Sequence, residues 1–397
     1  MRQFFLRALP ALLCAGCFAS ADKAAPPAPD QNDDRIILAE QTAAIVSSLE
    51  RSGSFVNDAA TDRLIASIVA RLPLPPEQGN PRVRLVRNPA LNAFALYDGT
   101  IGIHVGAFAK TTHPDHLAFL IAHETAHWSS LHAVQSFSRA SDSILATQIV
   151  DVILTPLSSR FSLEDVAEEG IGWAANATVN SLSRELEREA DAAALQMLYS
   201  GGFDTRRSLD IIRIFQGIDA QSPLHSGSLL LSTHPSSSDR TETMVLFLRE
   251  RSLEPFESLS FDAAFVRETA QLRLLDARLQ RLAGRYFEAL DDLSIVQRAF
   301  DGSRAKLPAS FQCERGLTYA SMLRDFPQAK ASVPADYWKT LYSERSDSEV
   351  QQLWGQRAKE GLSSKEAATG CAAAAERALA DLEKPTAAAT DTVGKKE

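Results

Sequence analysis

The stretch LIAHETAHWSSLH, residues 120–132, sets three of the chain's eight histidines in and just after an apolar run. Pro114 and Asp115 mark a helix start ahead of it, through a fixed dihedral and a favourable charge at the N-terminus. The pattern predicts a helix from there to about residue 133. His123 and His127 are four residues apart, so a helix projects both from one face, one turn apart. Both imidazoles can then reach one ion. Glu124 lies beside His123 on the same side and can reach a water at that ion without ligating it. This is the His-Glu-x-x-His zinc pattern, with the glutamate as general base. A helix that merely carries a polar face is the competing explanation.

A catalytic zinc wants three protein ligands and one open position. An extended histidine pattern would place Gly at 130 and His at 133, but those residues are Ser130 and Ala133. On a continuous helix His132 lies ~180° around from His123, so it is expected to point away from the metal and to serve packing or to stand behind a ligand. The best remaining candidate is SRELEREAD, residues 183–191. Glu187 and Asp191 share one helical face. Glu187 can ligate, and Asp191 can accept the outer N–H of a ligating histidine, fixing its tautomer. Alone, that spacing is also what a solvated face paired with Arg184 and Arg188 would show. The upstream histidines give it weight.

The first residues, MRQFFLRALPALLCAGCFASADKAA, have Arg2 and Arg7, an apolar run and then small residues, as a secretory signal peptide does. Cleavage after Ala21 is the expected reading, and lipidation at Cys17 is the alternative. No later stretch reaches the ~18 apolar residues a membrane helix needs. Cys313 and Cys371 then remain; in an oxidising compartment they are candidates for a disulfide, against two unrelated buried thiols. A net charge of −9 argues against nucleic acid as a partner.

Residues 22–34 are rich in Pro, Ala and Asp and read as a flexible tether. Apolar spacing predicts helices over about 35–51 and 57–72. RVRLVR reads as a strand, and NAFALYDGTIGIHVGAF as a hairpin around Asp98-Gly99. Residues 141–156 read as an apolar core helix, 163–198 as mostly helical, and 205–217 as a further helix. From about residue 260 the pattern is almost all helical. There Tyr286 and Phe326, and Ala289 and Ala329, share an offset of 40 residues, as in a helical repeat. An ordinary helical hairpin is the alternative. His104, His113, His116 and His225 are expected to be structural or solvated.

Taken in order, NAFAL, GTIGIHVGAF, LIAHETAHWSSLH, SRELEREAD and STHPSSSDR resemble the gluzincin family of prenyl-protein peptidases and HtpX-like heat-shock proteases. The likeness covers about residues 35–250 and is greatest to the exported branch that bears tetratricopeptide repeats. It implies one Zn2+ per chain, held by His123, His127 and Glu187, with Glu124 as base and Asp191 behind a ligand. It also implies that His234 approaches the metal, as a regulatory fourth ligand or an oxyanion donor. Asn92, Ala93 and Phe94 would form the edge strand that binds substrate.

The expected fold is mostly α with a small β-sheet (α+β). A signal peptide (1–21) and tether (22–34) precede a zincin-type metallopeptidase domain (35–250). An α-helical tetratricopeptide-like domain (258–384) and a disordered tail (385–397) follow. The expected function is that of a periplasmic zinc endopeptidase acting on unfolded or misassembled envelope proteins. Its helical domain would engage membrane-assembly machinery, with at most a lipid tether to the membrane. A chaperone-like or scaffolding protein with a structural or latent zinc site is the alternative.

Overall fold

A computed structural model describes residues 31–74, 79–139, 184–221, 238–332, 342, 344–364, 371 and 373. The leader, the 141–156 helix, His225, His234 and the tail fall outside these residues. The chain opens with α1 (Gln31–Arg51), which begins inside the stretch expected as tether, then β1 (Phe55–Val56) and α2 (Ala59–Val69). The strands β2 (Arg82–Val86), β3 (Ala93–Ala95) and β4 (Thr100–His104) follow. α3 (Val105–Lys110), α4 (Pro114–Ser129) and α5 (His132–Arg139) complete the N-terminal part.

The sheet runs β1-β2-β4-β3. β3 and β4 form the expected antiparallel hairpin, with Ala93 opposite Ile103 and Ala95 opposite Ile101. β2 pairs parallel to β4. β4 is therefore central, and every one of its residues is buried. Among the described residues, β3 is left at the edge with one side of its ladder open.

α4 starts where Pro114 predicts, at its first turn, with His113 accepting from the Asp115 N–H. Every residue from His116 to His127 is buried, so this helix is the centre of the domain and not a surface element. It stops at Ser129, four residues short of the expected end. Leu131 takes φ 55°, a left-handed conformation rare for leucine, and α5 starts afresh at His132.

Beyond these come α6 (Arg184–Ser200), α7 (Ser208–Gln221) and α8 (Ser238–Glu250). α6 packs along α4, and α8 packs on α6. The C-terminal part holds α9 (Ala263–Glu268), α10 (Ala270–Leu282), α11 (Tyr286–Phe300), α12 (Ala309–Arg324), α13 (Phe326–Ser332) and α14 (Asp347–Leu362). Tyr286 and Phe326 each open a helix, and Ala289 and Ala329 are both buried.

One hydrophobic core runs from Val56 through Phe108, Leu117 and Leu195 to Phe265, Leu272, Val296 and Phe311. It crosses the expected domain boundary near residue 250 without a break. A second core gathers Tyr319, Phe326, Tyr342 and Trp354. There α12 and α14 meet at Gly316 and Gly361, where a Cβ on Gly361 would sit 2.7 Å from backbone. Cys313 and Cys371 are joined in a disulfide. No helix among the described residues is long and apolar enough to cross a membrane.

Candidate metal centre

The buried middle of α4 and the half-buried α6 bring the motif residues together. His123 Nε2 lies 3.0 Å from His127 Nε2. Glu187 reaches across from α6, with Oε2 3.5 Å from His123 Nε2 and Oε1 3.4 Å from His127 Nε2. Among the described residues, this is the one group of three ligand atoms that could hold a metal ion. Two imidazoles and a carboxylate are a donor set that catalytic zinc uses. Glu187 is 1% exposed and Asp191 0%, while Arg184 and Arg188 face solvent. The solvated ion-paired face is thereby ruled out for these two carboxylates.

Each imidazole turns Nε2 inward and keeps Nδ1 for a protein group. His123 Nδ1 lies 3.0 Å from Asp191 Oδ1. That contact places a proton on Nδ1 and leaves the Nε2 lone pair for a cation. His127 Nδ1 lies 2.8 Å from His132 Nδ1, and His132 Nε2 is 3.6 Å from Glu189 Oε2. His132 thus stands behind a ligand, one of the two roles expected of it, but not in the expected direction. That direction assumed one continuous helix, and the break at Leu131 swings His132 back behind its neighbour.

Asp191 is itself held. Arg240, at the start of α8, donates from Nε to Asp191 Oδ2 and from Nη2 to Oδ1, both at 2.7 Å. Its Nη1 lies 3.4 Å from Glu187 Oε2. Arg240 is 3% exposed and Glu124 2%. A buried cation among buried carboxylates is the pairing that makes such a cluster tolerable.

The charges tune the groups. Burial alone would lower the His123 imidazole, but its hydrogen bonds to the Asp191 and Glu187 carboxylates outweigh it and lift it to about 9. Burial would raise Asp191, and the Arg240 guanidinium reverses that, holding the carboxyl below its usual range. Burial also keeps His132 below the ordinary imidazole value, against the pull of Glu189. The pocket thus attracts positive charge at His123 Nε2, and a divalent cation answers that demand better than a proton does.

Sequence reading missed Arg240, although it ends the STHPSSSDR segment. The available signal was physical: two carboxylates buried on one helix need a cation, and the arginines beside them face outward. The expected edge-strand residues sit as follows. Asn92 is buried, and its carbonyl accepts the His104 N–H. Ala93 and Phe94 lie in β3. The Phe94 ring lies on Gly102, where a Cβ would come within 2.2 Å of it, and edge-on to His104. At the hairpin tip, Trp128 of α4 donates its indole N–H to the Tyr97 carbonyl.

The model of peptidase family M48 matches residues 56–245. This segment is an M48 peptidase domain. It contains His123, Glu124, His127, Glu187, Asp191 and Arg240. Over 174 residues the chain is 26% identical to the mitochondrial metalloendopeptidase OMA1 of Schizosaccharomyces pombe, covering 43% of this chain and 48% of that relative. Over 254 residues it is 26% identical to the putative beta-barrel assembly-enhancing protease of Vibrio cholerae, covering 62% and 48%. Over 168 residues it is 30% identical to the mitochondrial metalloendopeptidase OMA1 of Bos taurus, covering 40% and 31%. The chain thus spans about half or less of the length of these relatives. The helices from α9 onward lie beyond the M48 match.

Proposed function

We propose that this chain is a zinc endopeptidase of the bacterial envelope that cleaves unfolded or misassembled proteins. The observation that carries the reading is the convergence of His123, His127 and Glu187, with Glu124 on the same buried helix. Zinc, when bound, supplies Lewis acidity that polarises an amide carbonyl and acidifies water. His123 and His127 offer Nε2, and Glu187 offers its carboxylate. Asp191 and His132 fix the two imidazoles from behind, and Arg240 holds Asp191 and shares its charge with Glu187.

Glu124 is the general base. It takes a proton from the attacking water and passes it to the leaving amine. The substrate lies extended along the open side of β3, near Asn92, Ala93 and Phe94, pairing through backbone groups. That mode favours unfolded segments, because folded strands already have their partners. His234 acts as a latch or an oxyanion donor, a role that rests on the family resemblance alone.

The M48 match and the names of the relatives support a metallopeptidase, and the names from bacteria support work on the assembly of β-barrels. The leader supports export to the periplasm, with cleavage after Ala21 or a lipid on Cys17. The offset of 40 residues between two helix starts supports a tetratricopeptide-like region over 258–384, following the peptidase region at 35–250. That region would recruit membrane-assembly partners.

The test is cleavage of an unfolded protein by the purified chain, compared with Glu124→Gln. Equal activity in both sinks the peptidase. A metal analysis that finds no zinc, with none lost in His123→Ala, sinks the site.

A further inference from the structure

Two backbone segments flank the β3–β4 hairpin, and both are gripped by helices beyond the M48 match. Ahead of β3, the Pro89 carbonyl accepts from Gln280 Nε2 of α10 at 2.8 Å, in the interior. After β4, Lys110 at the end of α3 donates to Asp292 Oδ1 of α11 at 2.5 Å and to Asp291 Oδ2 at 2.8 Å. Arg273 of α10 donates to the carbonyls of Ala109 and Thr111. The two segments also touch directly, since a Cβ on Gly106 would lie 2.3 Å from the Pro89 carbonyl oxygen.

These grips are joined inside the helices. Gln280 Nε2 also donates to Asp276 Oδ2 at 3.2 Å. Asp276 and Asp292 are both fully buried. Burial, with the charge of Asp292, pushes the Asp276 carboxyl above the usual carboxylate range. Gln280 on Pro89, Arg273 on Ala109 and Thr111, and Asp292 on Lys110 thus hold both ends of the hairpin from α10 and α11.

We infer that α10 and α11 belong to the catalytic unit, as a strut that sets the position of the substrate-pairing edge β3, with Gln280 as a positioning residue. The inference rests on the edge-strand reading above. A strand of three residues paired on one side has little rigidity of its own. An edge that must align an extended peptide with a metal tolerates little displacement. The strut supplies from outside what the strand lacks.

The experiment uses the full chain. Gln280→Met keeps the side chain's length and removes the donor to Pro89. Lys110→Met with Asp292→Asn opens the other end without leaving a charge. Trp354→Phe loosens the second core as a control. Hydrogen exchange is followed at the ladder amides of Leu96 and His104, which donate to Thr100 and Asn92. Cleavage of labelled unfolded casein gives KM and kcat, and chelator competition gives zinc affinity. Both strut variants are expected to speed exchange at those amides about tenfold and to raise KM roughly three- to tenfold, with kcat and zinc affinity within about twofold. Trp354→Phe should change neither. Unchanged exchange and KM in the strut variants, or the same changes in Trp354→Phe, overturn the strut. A wild type that cleaves nothing counts against the peptidase instead, and exchange still reads the strut.

Discussion

Two buried polar clusters invite comparison, one at the metal centre and one where α10 and α11 grip the ends of the β3–β4 hairpin. At the metal centre, Arg240 sits against Asp191 and Glu187. Behind the hairpin, Lys110 sits against Asp292, with Asp276 and Arg273 buried in the same cluster. Each puts cations and carboxylates into the interior. The difference is in the surplus. At the metal centre both carboxylates also face imidazoles, and Glu124 lies near the same guanidinium. Negative charge there is left for a further cation. In the strut, Lys110 and Arg273 together answer Asp292 and Asp276, and the charges close on themselves. The first cluster is built to hold something; the second is built to hold the chain.

The largest expected effect separates them. Glu124→Gln should lower cleavage of an unfolded substrate by roughly 10²- to 10⁴-fold, the range for losing a general base. Zinc content should be unchanged. No strut variant should approach that loss in kcat. A Glu124→Gln protein that cleaves within a few-fold of wild type would place the chemistry elsewhere.

The next effect treats the two ion pairs alike and then parts them. Removing one member of a buried pair costs about 3–5 kcal/mol, because the other charge stays buried. Lys110→Met and Arg240→Met should each lower stability on that scale in denaturant unfolding. Neutralising the partner should relieve it in both places, through Asp292→Asn and Asp191→Asn. Only at the metal centre does a second loss remain. The double variant of Arg240 and Asp191 should fold yet bind zinc about 10- to 100-fold more weakly, as when groups behind a ligand are removed. Normal zinc affinity in that variant would reduce Arg240 and Asp191 to structural roles.

The two clusters also differ in how far they could be read from the sequence. His123, His127 and Glu124 follow from helical periodicity, and Glu187 follows from needing a third ligand. The helix start at Pro114 and the turn at Asp98-Gly99 have local chemical causes, and both are where those causes put them. His132 was misplaced because the break at Leu131 carries no Gly, Pro or Asn to announce it. Arg240 and the strut were missed for another reason. Gln280 meets Pro89 across 191 positions of sequence, and Lys110 meets Asp292 across 182. In one dimension, Asp276, Gln280 and Asp292 look like the polar faces of amphipathic helices. Only packing shows that those faces are inside. The same packing carries one hydrophobic core across residue 250, between the two regions expected as domains.

The tip of the hairpin offers a smaller effect that bears on the metal side. Gly99 has φ 82°, and a Cβ there would lie 2.7 Å from the Trp128 ring. Gly99→Ala should cost about 2 kcal/mol, from the left-handed backbone and the displaced indole together. Thermal unfolding with and without zinc measures it. Because Trp128 follows His127 directly, the loss should be accompanied by weaker zinc binding, which strut variants should not show. Equal zinc affinity in Gly99→Ala would uncouple the hairpin tip from the centre.

The smallest effect compares two histidines. Both are buried, yet His123 is raised to about 9 and His104 is lowered to about 3. His123 has two carboxylates. For His104 burial dominates, its hydrogen bond to Ala90 only partly opposes it, and its neighbour is the edge of Phe94. A folded value below the unfolded one means that the unfolded chain binds the extra proton. Stability from neutral His104 is therefore present above about 6.5 and is lost as pH falls toward 3, at about 1.4 kcal/mol per pH unit. The lowered Asp191 and Asp210 carboxyls lose their contribution only further down, as pH drops below their ordinary range. His104→Gln, neutral throughout, should flatten the stability profile between pH 6 and 5 relative to wild type, read as the difference between the two denaturation curves. The metal-free His123 acts with the opposite sign and in a separate window: its contribution is present below about 6.5 and is lost as pH rises through 9. Zinc should abolish that second slope and leave the difference between wild type and His104→Gln untouched, although its own binding weakens as the ligand histidines protonate. If zinc changed that difference, His104 would share the metal centre's charge, and its burial beside Phe94 could not be what sets its proton.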